Sequence, residues 1–302
     1  MHIFHSDRYV LPLPPGHRFP MRKYRDLSAR VQAAGLPGAI LQEAPAAPRG
    51  ALTRVHDAAY VARVLDSGLA PAEQRRLGLP WSPALAERSL RSVGGTLAAC
   101  AAARAGGIAV NLAGGTHHAG AASGAGFCVF NDVAIAAREL LASGAARRVL
   151  IVDCDVHQGD GTATLLATCP AAFTFSIHAA RNYPHRKARS DLDIALPDGT
   201  ADDAYLALLA DGLTHAVSAA RAEFALYLAG ADAWSGDRLG RLALSKAGLR
   251  ARDELVLATL EAEGCAVAVV MGGGYAEDIA DIVDIHFRTV CAAAASWMRR
   301  RR

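Results

Sequence analysis

VLIVDCDVHQGDG, residues 149–161, joins a short run of apolar residues directly to a cluster of polar ones. The apolar run is rich in β-branched residues and too short for a helix, so it predicts a fully buried strand. Comparable runs occur at 108–110, 173–177, 224–232 and 265–274. Segments with helical apolar spacing lie between these runs, at 131–143, 202–221 and 250–263. Buried strands that alternate with helices predict an α/β fold with a mainly parallel central sheet.

The composition is that of a folded globular protein. The chain has 302 residues, of which 52% are hydrophobic and 20% charged, which excludes a small disulfide scaffold and a disordered chain. The net charge of only +3 gives no reason to expect a nucleic-acid surface. No Pro- or Ser-rich linker divides the sequence, so we expect one domain over residues 1–302, closed by a helix near 277–298.

The cysteines and the hydropathy pattern predict a cytoplasmic protein that is not inserted in a membrane. The six cysteines form no C-x-x-C pair and lie among apolar or small residues, which is typical of free thiols in a reducing compartment. The sequence contains no signal-peptide pattern, and no apolar run reaches the roughly 18 residues of a membrane span.

Polar residues follow three of the predicted strands, and in open α/β sheets such residues collect at the carboxyl ends of the strands. D-C-D-V-H at 153–157 places Asp153, Asp155 and His157 two residues apart, which would project them to one side of an extended backbone. Carboxylates and imidazole are good Zn²⁺ ligands, and Asp232, after the strand LYLAGA, is the natural third ligand. The alternative is that Asp153 and Asp155 cap a helix that begins near Gly159.

Two glycine-rich stretches carry further candidates. GGTHHAG at 114–120 contains the adjacent His117 and His118, which could act as acid, base or electrostatic partner beside a metal, or could simply be solvated loop residues. GGGY at 272–275 places Tyr275 after a buried strand, where its hydroxyl could stabilise an oxyanion or the ring could merely pack. The glycines there do not match a phosphate-binding pattern.

The joint occurrence of these motifs, in this order and each at a strand tip, resembles the histone deacetylase superfamily, which has the arginase-deacetylase fold. Further stretches that carry the resemblance are HRFPMRKY at 17–24, RVHDAAYV at 54–61, GFCVFNDVAIAA at 126–137 and HQGDGTA at 157–163. The similarity extends over roughly residues 15–290. It implies a zinc-dependent deacylase, although it marks the superfamily and not one substrate.

The resemblance also implies roles for single residues. It makes Asp155, His157 and Asp232 the ligands of Zn²⁺ or Fe²⁺, and His118 the general base and acid, oriented by Asp160. His117 would pair with Asp153, and Tyr275 would polarise the acyl carbonyl. A structural K⁺ is implied near Asp153 and Ser176.

The substrate channel is implied to include Gly126, Phe127, Leu239 and Gly273. Three departures from the family pattern concern this region. Lys23 stands where relatives often carry Arg near the exit for the released carboxylate, and Trp81 stands near the place of an Asp that anchors peptide backbones. Trp234 either narrows the site or packs beneath it.

The expected function is therefore hydrolysis of an N-acyl amide, most simply acetyl-lysine, by metal-activated water. Alternatives are deacetylation of a small acetylated metabolite and a non-catalytic, metal-bound acyl-lysine binding module. The apolar Leu239 disfavours a polyamine substrate, because polyamine-selective relatives carry an acidic residue there. An arginase-like binuclear Mn²⁺ site needs more carboxylates than these motifs provide. The acyl group, the amine and the oligomeric state stay open at this point.

Overall fold

The computed structural model describes residues 1–14 and 16–301. Within these residues, the strands form one sheet of eight, and every neighbouring pair is parallel. The strands are β1 His2–His5, β2 Ile40–Glu43, β3 Ile108–Asn111, β4 Val149–Asp153, β5 Ala172–Ala179, β6 Leu192–Leu196, β7 Phe224–Leu228 and β8 Ala266–Val270. Their order is β2-β1-β3-β8-β7-β4-β5-β6, which puts β3, β8, β7 and β4 at the centre.

Helices connect the strands. The α-helices are α1 Lys23–Ala34, α2 Arg49–Leu52, α3 Ala58–Ala62, α4 Pro71–Leu77, α5 Pro83–Gly106, α6 Asp132–Ala142, α7 Asp160–Leu166, α8 Asp202–Ala220, α9 Lys246–Ala262 and α10 Ile279–Arg299. A 3₁₀ turn spans Asp7–Tyr9, and a π-helical segment spans Arg63–Ser67. The longest helix, α5, starts at a side-chain cap, since Ser82 Oγ accepts from the Leu85 N–H and Pro83 fills the first helical position.

The sheet is buried on both faces. Alternate residues of β4 point to opposite sides, so Leu150 and Val152 pack into one apolar cluster while Val149 and Ile151 pack into another. The first cluster includes residues of α8, α9 and α10, and the second includes residues of α5 and α6. This double burial explains why the central strands read as continuous apolar runs.

The predicted α/β class and parallel sheet are confirmed, and the five predicted runs correspond to β3, β4, β5, β7 and β8. The last two strands are shorter than predicted, because β7 ends at Leu228 and β8 at Val270, so their polar tips are loops. Strands β1, β2 and β6 were not predicted. They are the outer strands at the two sides of the sheet, and β2 and β6 contain mostly exposed or half-buried residues, which removes the apolar signal.

Among the helices in the described ranges, none is both long enough and apolar enough to cross a bilayer.

Candidate active site

The loops that follow the four central strands meet at one edge of the sheet. Strands β4, β7, β8 and β3 all run in the same direction, so their carboxyl ends lie side by side. The loop after β4 carries Asp155 and His157, and the loop after β7 carries Asp232. The loops after β3 and β8 carry the histidine pair and Tyr275. The fold therefore gathers all the sequence-predicted polar residues in one region.

Asp155, His157 and Asp232 form a buried group that could hold a metal ion. One ligand atom from each lies within 4.8 Å of the others. His157 Nδ1 lies 3.0 Å from Asp155 Oδ1 and 3.2 Å from Asp232 Oδ2. Asp153 is directed elsewhere, toward His117, so the common projection expected for 153, 155 and 157 does not hold: the strand ends at Asp153 and a loop follows.

The helix-capping alternative is wrong. Helix α7 starts after Gly159, whose position involves no side-chain cap. Asp153 Oδ1 instead accepts from the Asp155 N–H at 3.1 Å, and Asp155 Oδ1 accepts from the His157 N–H at 3.0 Å. These bonds shape the loop that presents the donor atoms.

Gly273 is required by close packing against the same group. A Cβ atom at this position would lie 1.8 Å from Asp232 Oδ2 and 2.8 Å from Asp155 Oδ2. Its N–H donates to Asp155 Oδ2 at 2.7 Å. Only glycine lets the backbone come close enough to orient this carboxylate.

The electrostatics of the group favour a cation. Burial, reinforced by the charge of Asp155, raises the pKa of Asp232 to about 7. Burial alone would lower the pKa of His157, but its hydrogen bonds to Asp155 and Asp232 outweigh that effect and raise the pKa to about 10. Two carboxylates held together out of water need a positive partner, whether a proton or a metal ion.

The two adjacent histidines are paired with different carboxylates. His117 Nδ1 lies 2.7 Å from Asp153 Oδ2, and His118 Nδ1 lies 2.7 Å from Asp160 Oδ1. Burial opposes a charge on His117, but Asp153 and Asp155 outweigh it and raise the pKa to about 9. Burial and the neighbouring His117 lower the pKa of His118 to about 3. The two rings, 4.1 Å apart, therefore have opposite pKa shifts.

Asp132, at the start of α6, fixes the loop that carries these histidines. Its carboxylate is fully buried and accepts from Thr96 Oγ1 at 2.6 Å and from the N–H groups of Gly115 and Thr116 at 3.2 and 2.8 Å. The preceding Asn131 caps α6 and donates to the carbonyl oxygens of His117 and Ala119. The local sequence shows only a polar pair at a helix start, a common signal that does not reveal its tertiary role.

Tyr275 is held through its backbone. Its N–H donates to Asp237 Oδ2 at 2.5 Å, and its carbonyl accepts from Arg238 Nε at 2.9 Å. Within the described residues its hydroxyl has no hydrogen-bond partner, and the side chain lines the cavity above Asp155 and His157. The hydroxyl is thus available to a bound molecule.

Aromatic rings shape the cavity. The ring centre of Phe127 lies 5.8 Å from that of Tyr275 and 5.1 Å from that of Phe19. The backbone of Phe127 has a φ of 66°, which is a strained conformation for a bulky residue. Gly126, Phe127 and Gly273 line this cavity. Tyr183, which no sequence motif indicated, lies against His118 with ring centres 4.8 Å apart.

The structure places the three residues that depart from the family pattern, and also Leu239. Lys23 is buried and donates to the carbonyl oxygens of Gly272 and Gly274, at 3.2 and 3.5 Å. Trp234 packs against Lys246 and does not line the cavity. Trp81 Nε1 donates to the Val64 carbonyl at 2.9 Å. Leu239, expected along the channel, is half-buried in the loop beside it, and its carbonyl accepts from Asn182.

A buried arginine joins the two loops that carry the metal-ligand candidates. Arg252 of α9 is fully buried, and its Nη1 donates to the carbonyls of Cys154 at 3.2 Å and Gly230 at 2.6 Å. Its Nε and Nη2 bond Asp253 Oδ1 at 2.9 and 2.8 Å. The sequence shows no sign of this role, because Arg252 lies 98 residues from Cys154 along the chain.

We expect Arg252→Met to lower the free energy of unfolding by about 3–5 kcal/mol, because it leaves Asp253 as an uncompensated buried charge. Urea denaturation would measure the change. Arg250→Met, on the same helix, removes an exposed ion pair with Glu254 and should have no measurable effect. Equal stabilities of the two variants would contradict this assignment.

His56 supports the loop that carries His117 and His118. We expect this contact to make the stability of the fold sensitive to acid. Its Nδ1 lies 2.8 Å from the Gly120 carbonyl, and its Nε2 accepts from the Asn131 N–H at 2.9 Å, so the ring is held neutral. Burial lowers its pKa from 6.5 to about 4. His56 of the unfolded chain therefore binds a proton below pH 6.5, whereas His56 of the folded chain stays neutral down to about pH 4.

Stability should thus fall as the pH drops from 6.5 to 4, by about 3 kcal/mol from this residue alone. Urea melts across this range should show a flatter profile for His56→Asn than for the wild type. Replacing the exposed His215 serves as the control. The same slope in wild type and His56→Asn would show that another group titrates.

Comparisons with known proteins give the site a context. Residues 17–290 match the Histone deacetylase domain family. An uncharacterised protein of Picosynechococcus sp. is 47% identical over 287 residues, which cover 94% of this chain and 95% of that protein. Histone deacetylase 2 of Arabidopsis thaliana is 33% identical over 196 residues, 64% of this chain and 51% of that protein. The chain thus spans about half the length of the Arabidopsis relative.

A crystal structure of an HDAC homologue complexed with SAHA superimposes with a TM-score of 0.84 at 23% identity, over 97% of this chain and 83% of that one. At this identity the likeness concerns the fold. The arginase-deacetylase architecture expected from the sequence is confirmed.

Proposed function

Because this chain belongs to the histone deacetylase family, we propose that it forms one catalytic domain over residues 1–302 that hydrolyses an N-acyl amide, most simply acetyl-lysine. One observation carries the proposal. The buried Asp155, His157 and Asp232 group, the paired histidines and the free hydroxyl of Tyr275 surround a single cavity. These are the parts that metal-assisted amide hydrolysis requires.

The donor set fits Zn²⁺ or Fe²⁺. Two carboxylates and one imidazole, all buried, match the three protein ligands of a catalytic site that keeps a position open. A metal ion held there would supply Lewis acidity. The N–H groups of Gly273 and Val156 donate to Asp155 and Asp232 and would orient these ligands.

His118 is the proposed general base and acid. Asp160 accepts from Nδ1, which leaves Nε2 as the free acceptor, and the ring lines the cavity. We infer that Nε2 takes a proton from the attacking water and later delivers it to the leaving amine. His117, held by Asp153, would stabilise the charges that develop beside it.

Tyr275 is the proposed oxyanion donor. Its backbone is fixed on both sides by Asp237 and Arg238, so the hydroxyl is positioned before substrate binds. A preorganised donor aimed at the acyl oxygen stabilises negative charge as it develops. Phe127 and Tyr183 would provide walls for the alkyl stem of an acyl-lysine.

We also propose a structural K⁺ beside Asp153. Asp153 and Ser176 are register partners on β4 and β5, which brings a carboxylate and a hydroxyl to neighbouring positions. Both side chains are buried. Oxygen donors at this strand end suit a hard monovalent cation.

The test is turnover of a fluorogenic acetyl-lysine substrate by protein of measured metal content. We expect activity that a hydroxamate chelator inhibits and that returns when the metal is restored after removal. Activity that persists in metal-free protein would contradict the proposal. Tight binding of acetyl-lysine without turnover, in metal-loaded protein, would favour a binding module instead.

A further inference from the structure

The segment between β5 and β6 is strongly basic. Residues 181–189, here called the basic loop, contain five basic residues and no acidic one: Arg181, His185, Arg186, Lys187 and Arg189. The sequence has no Asp or Glu anywhere between Asp160 and Asp191. Since the net charge of the whole chain is only +3, this is a local concentration of charge.

The basic loop lies at the mouth of the cavity. Its Tyr183 ring lies 4.8 Å from His118, and a Cβ atom on Gly126 would lie 3.3 Å from Tyr183 Cε1. Asn182 Nδ2 donates to the Leu239 carbonyl at 2.5 Å, which ties the loop to the segment that fixes Tyr275. Any amine that enters beside Tyr183 must therefore approach the basic loop.

The charges of the loop are free. Arg181, Arg186 and Arg189 are exposed, and none forms an ion pair in the part of the chain that the structure describes. Lys187, in contrast, is used internally, because its Nζ donates to the carbonyls of Asn182 and Pro184 at 2.5 and 2.8 Å. The three arginines are thus available to a ligand outside the cavity.

Two more arginines approach the mouth from other elements. Arg76 of α4 donates to the Gly124 carbonyl at 3.3 Å and lies near enough to Tyr183 to influence its phenol, and the exposed Arg238 donates to the Tyr275 carbonyl at 2.9 Å. Neither is part of an ion pair within residues 1–14 and 16–301.

The acidic groups of this region are already engaged. Asp160 is bonded to His118, and Asp237 accepts from the N–H groups of Tyr275, Leu239 and Gly240. Asp191 and Asp193, which follow the loop, are exposed, and they accept from Thr174 and from Gln158 and the Ser190 N–H respectively. These carboxylates keep their charge, but each is bonded to a neutral donor of the chain, whereas Arg181, Arg186 and Arg189 have no ion-pair partner among the described residues. The exposed charge of the rim is therefore mainly cationic.

We propose that this rim selects an acyl-lysine carried on an acidic peptide segment, with Asp or Glu flanking the modified residue. The inference rests on the proposed deacylase function and adds the substrate class. Cationic groups around a narrow opening raise the local concentration of anionic ligands and repel cationic ones. A lysine-rich peptide would meet like charge at the rim, and its approach would be disfavoured.

The experiment uses three acetyl-lysine peptides that differ only in their flanking residues: four Glu, four Gln or four Lys. We expect kcat/KM to fall in that order, with a ratio of about tenfold or more between the Glu and Lys peptides at low salt. The ratio should collapse toward one near 1 M salt, where the screening length is about 3 Å.

Charge reversal locates the effect. The triple variant Arg181→Glu, Arg186→Glu, Arg189→Glu should invert the Glu-to-Lys ratio. A control with the same change in net charge, Arg104→Glu, Arg138→Glu, Arg301→Glu, alters exposed residues outside the loops around the cavity and should keep the wild-type ratio. Circular dichroism would verify that both variants are folded.

The outcomes separate the two claims. Equal kcat/KM for the three peptides, or a ratio that the triple variant leaves unchanged, would overturn the acidic-substrate inference and leave the deacylase proposal standing. Failure of every peptide in metal-loaded protein would overturn the deacylase proposal and this inference with it. A Glu preference lost only in the basic-loop variant would support both.

Discussion

Tyr275→Phe is expected to retain its metal and to lose turnover by about 100- to 1,000-fold, the usual effect of removing one oxyanion donor. The substitution removes only the hydroxyl. The ring contacts with Phe127 and Phe19 remain, and so do the backbone bonds to Asp237 and Arg238 that position the residue. The loss should fall on kcat and kcat/KM together, because the hydrogen bond forms only as charge develops on the acyl oxygen.

The measurement is steady-state kinetics on protein with a determined metal content. Tyr205→Phe is the matched control, since it removes a tyrosine hydroxyl that is buried in the apolar cluster on the α8 and α9 side of the sheet and does not line the cavity. A near wild-type kcat for Tyr275→Phe would show that Tyr275 is not the oxyanion donor. A loss of metal in the same variant would show instead that the hydroxyl supports the metal group.

The sequence predicts those parts of the site that lie within short motifs. The order of apolar runs predicts the central strands, and their polar tips predict where side chains converge, because parallel strands end at one edge of the sheet. His117, Asp155 and Asp232 could thus be identified as neighbours from separate segments of the chain. The structure brings them together through loops, and not through the extended backbone that two-residue spacing suggested.

The supporting contacts could not be predicted in this way. Arg252 reaches the Cys154 and Gly230 carbonyls from a helix whose sequence indicates an amphipathic segment, in which an arginine is expected on the exposed face. The φ of 66° at Phe127 goes against its local preference, and it is maintained by tertiary contacts such as the bond from the Phe127 N–H to the Leu77 carbonyl. Such features depend on which elements are neighbours in three dimensions, and local patterns carry no information about that.

The distinction between Asp153 and Asp155 illustrates the same limit. Both residues are aspartates in the motif D-C-D-V-H, so the sequence does not distinguish them. In the structure, Asp153 Oδ2 lies 2.7 Å from His117 Nδ1, while Asp155 groups with His157 and Asp232. Asp153 therefore belongs to the layer around the metal group. Replacement of such an outer residue typically costs about 10–100-fold in metal affinity, and replacement of a ligand should cost more.

Asp232→Ala is expected to lower metal affinity by more than about 100-fold, the upper end of the range for residues that only support the ligands, because it removes one of three donors. The metal-free variant should still fold. Burial, reinforced by the charge of Asp155, raises the pKa of Asp232 to about 7, so removing Asp232 relieves a charge repulsion in the metal-free protein. The same change takes an acceptor from the Val156 N–H and a partner from His157, and the two effects oppose each other.

Two measurements separate metal loss from misfolding. Metal content after dialysis against a chelator should fall in Asp232→Ala, and the rise in Tm that metal gives the wild type should disappear, while the metal-free variant still unfolds in one cooperative transition. Asp153→Asn is the matched control, since it changes a buried carboxylate at the same sheet edge and should keep most of the metal-induced rise. Undiminished zinc content in Asp232→Ala would mean that the third ligand lies elsewhere.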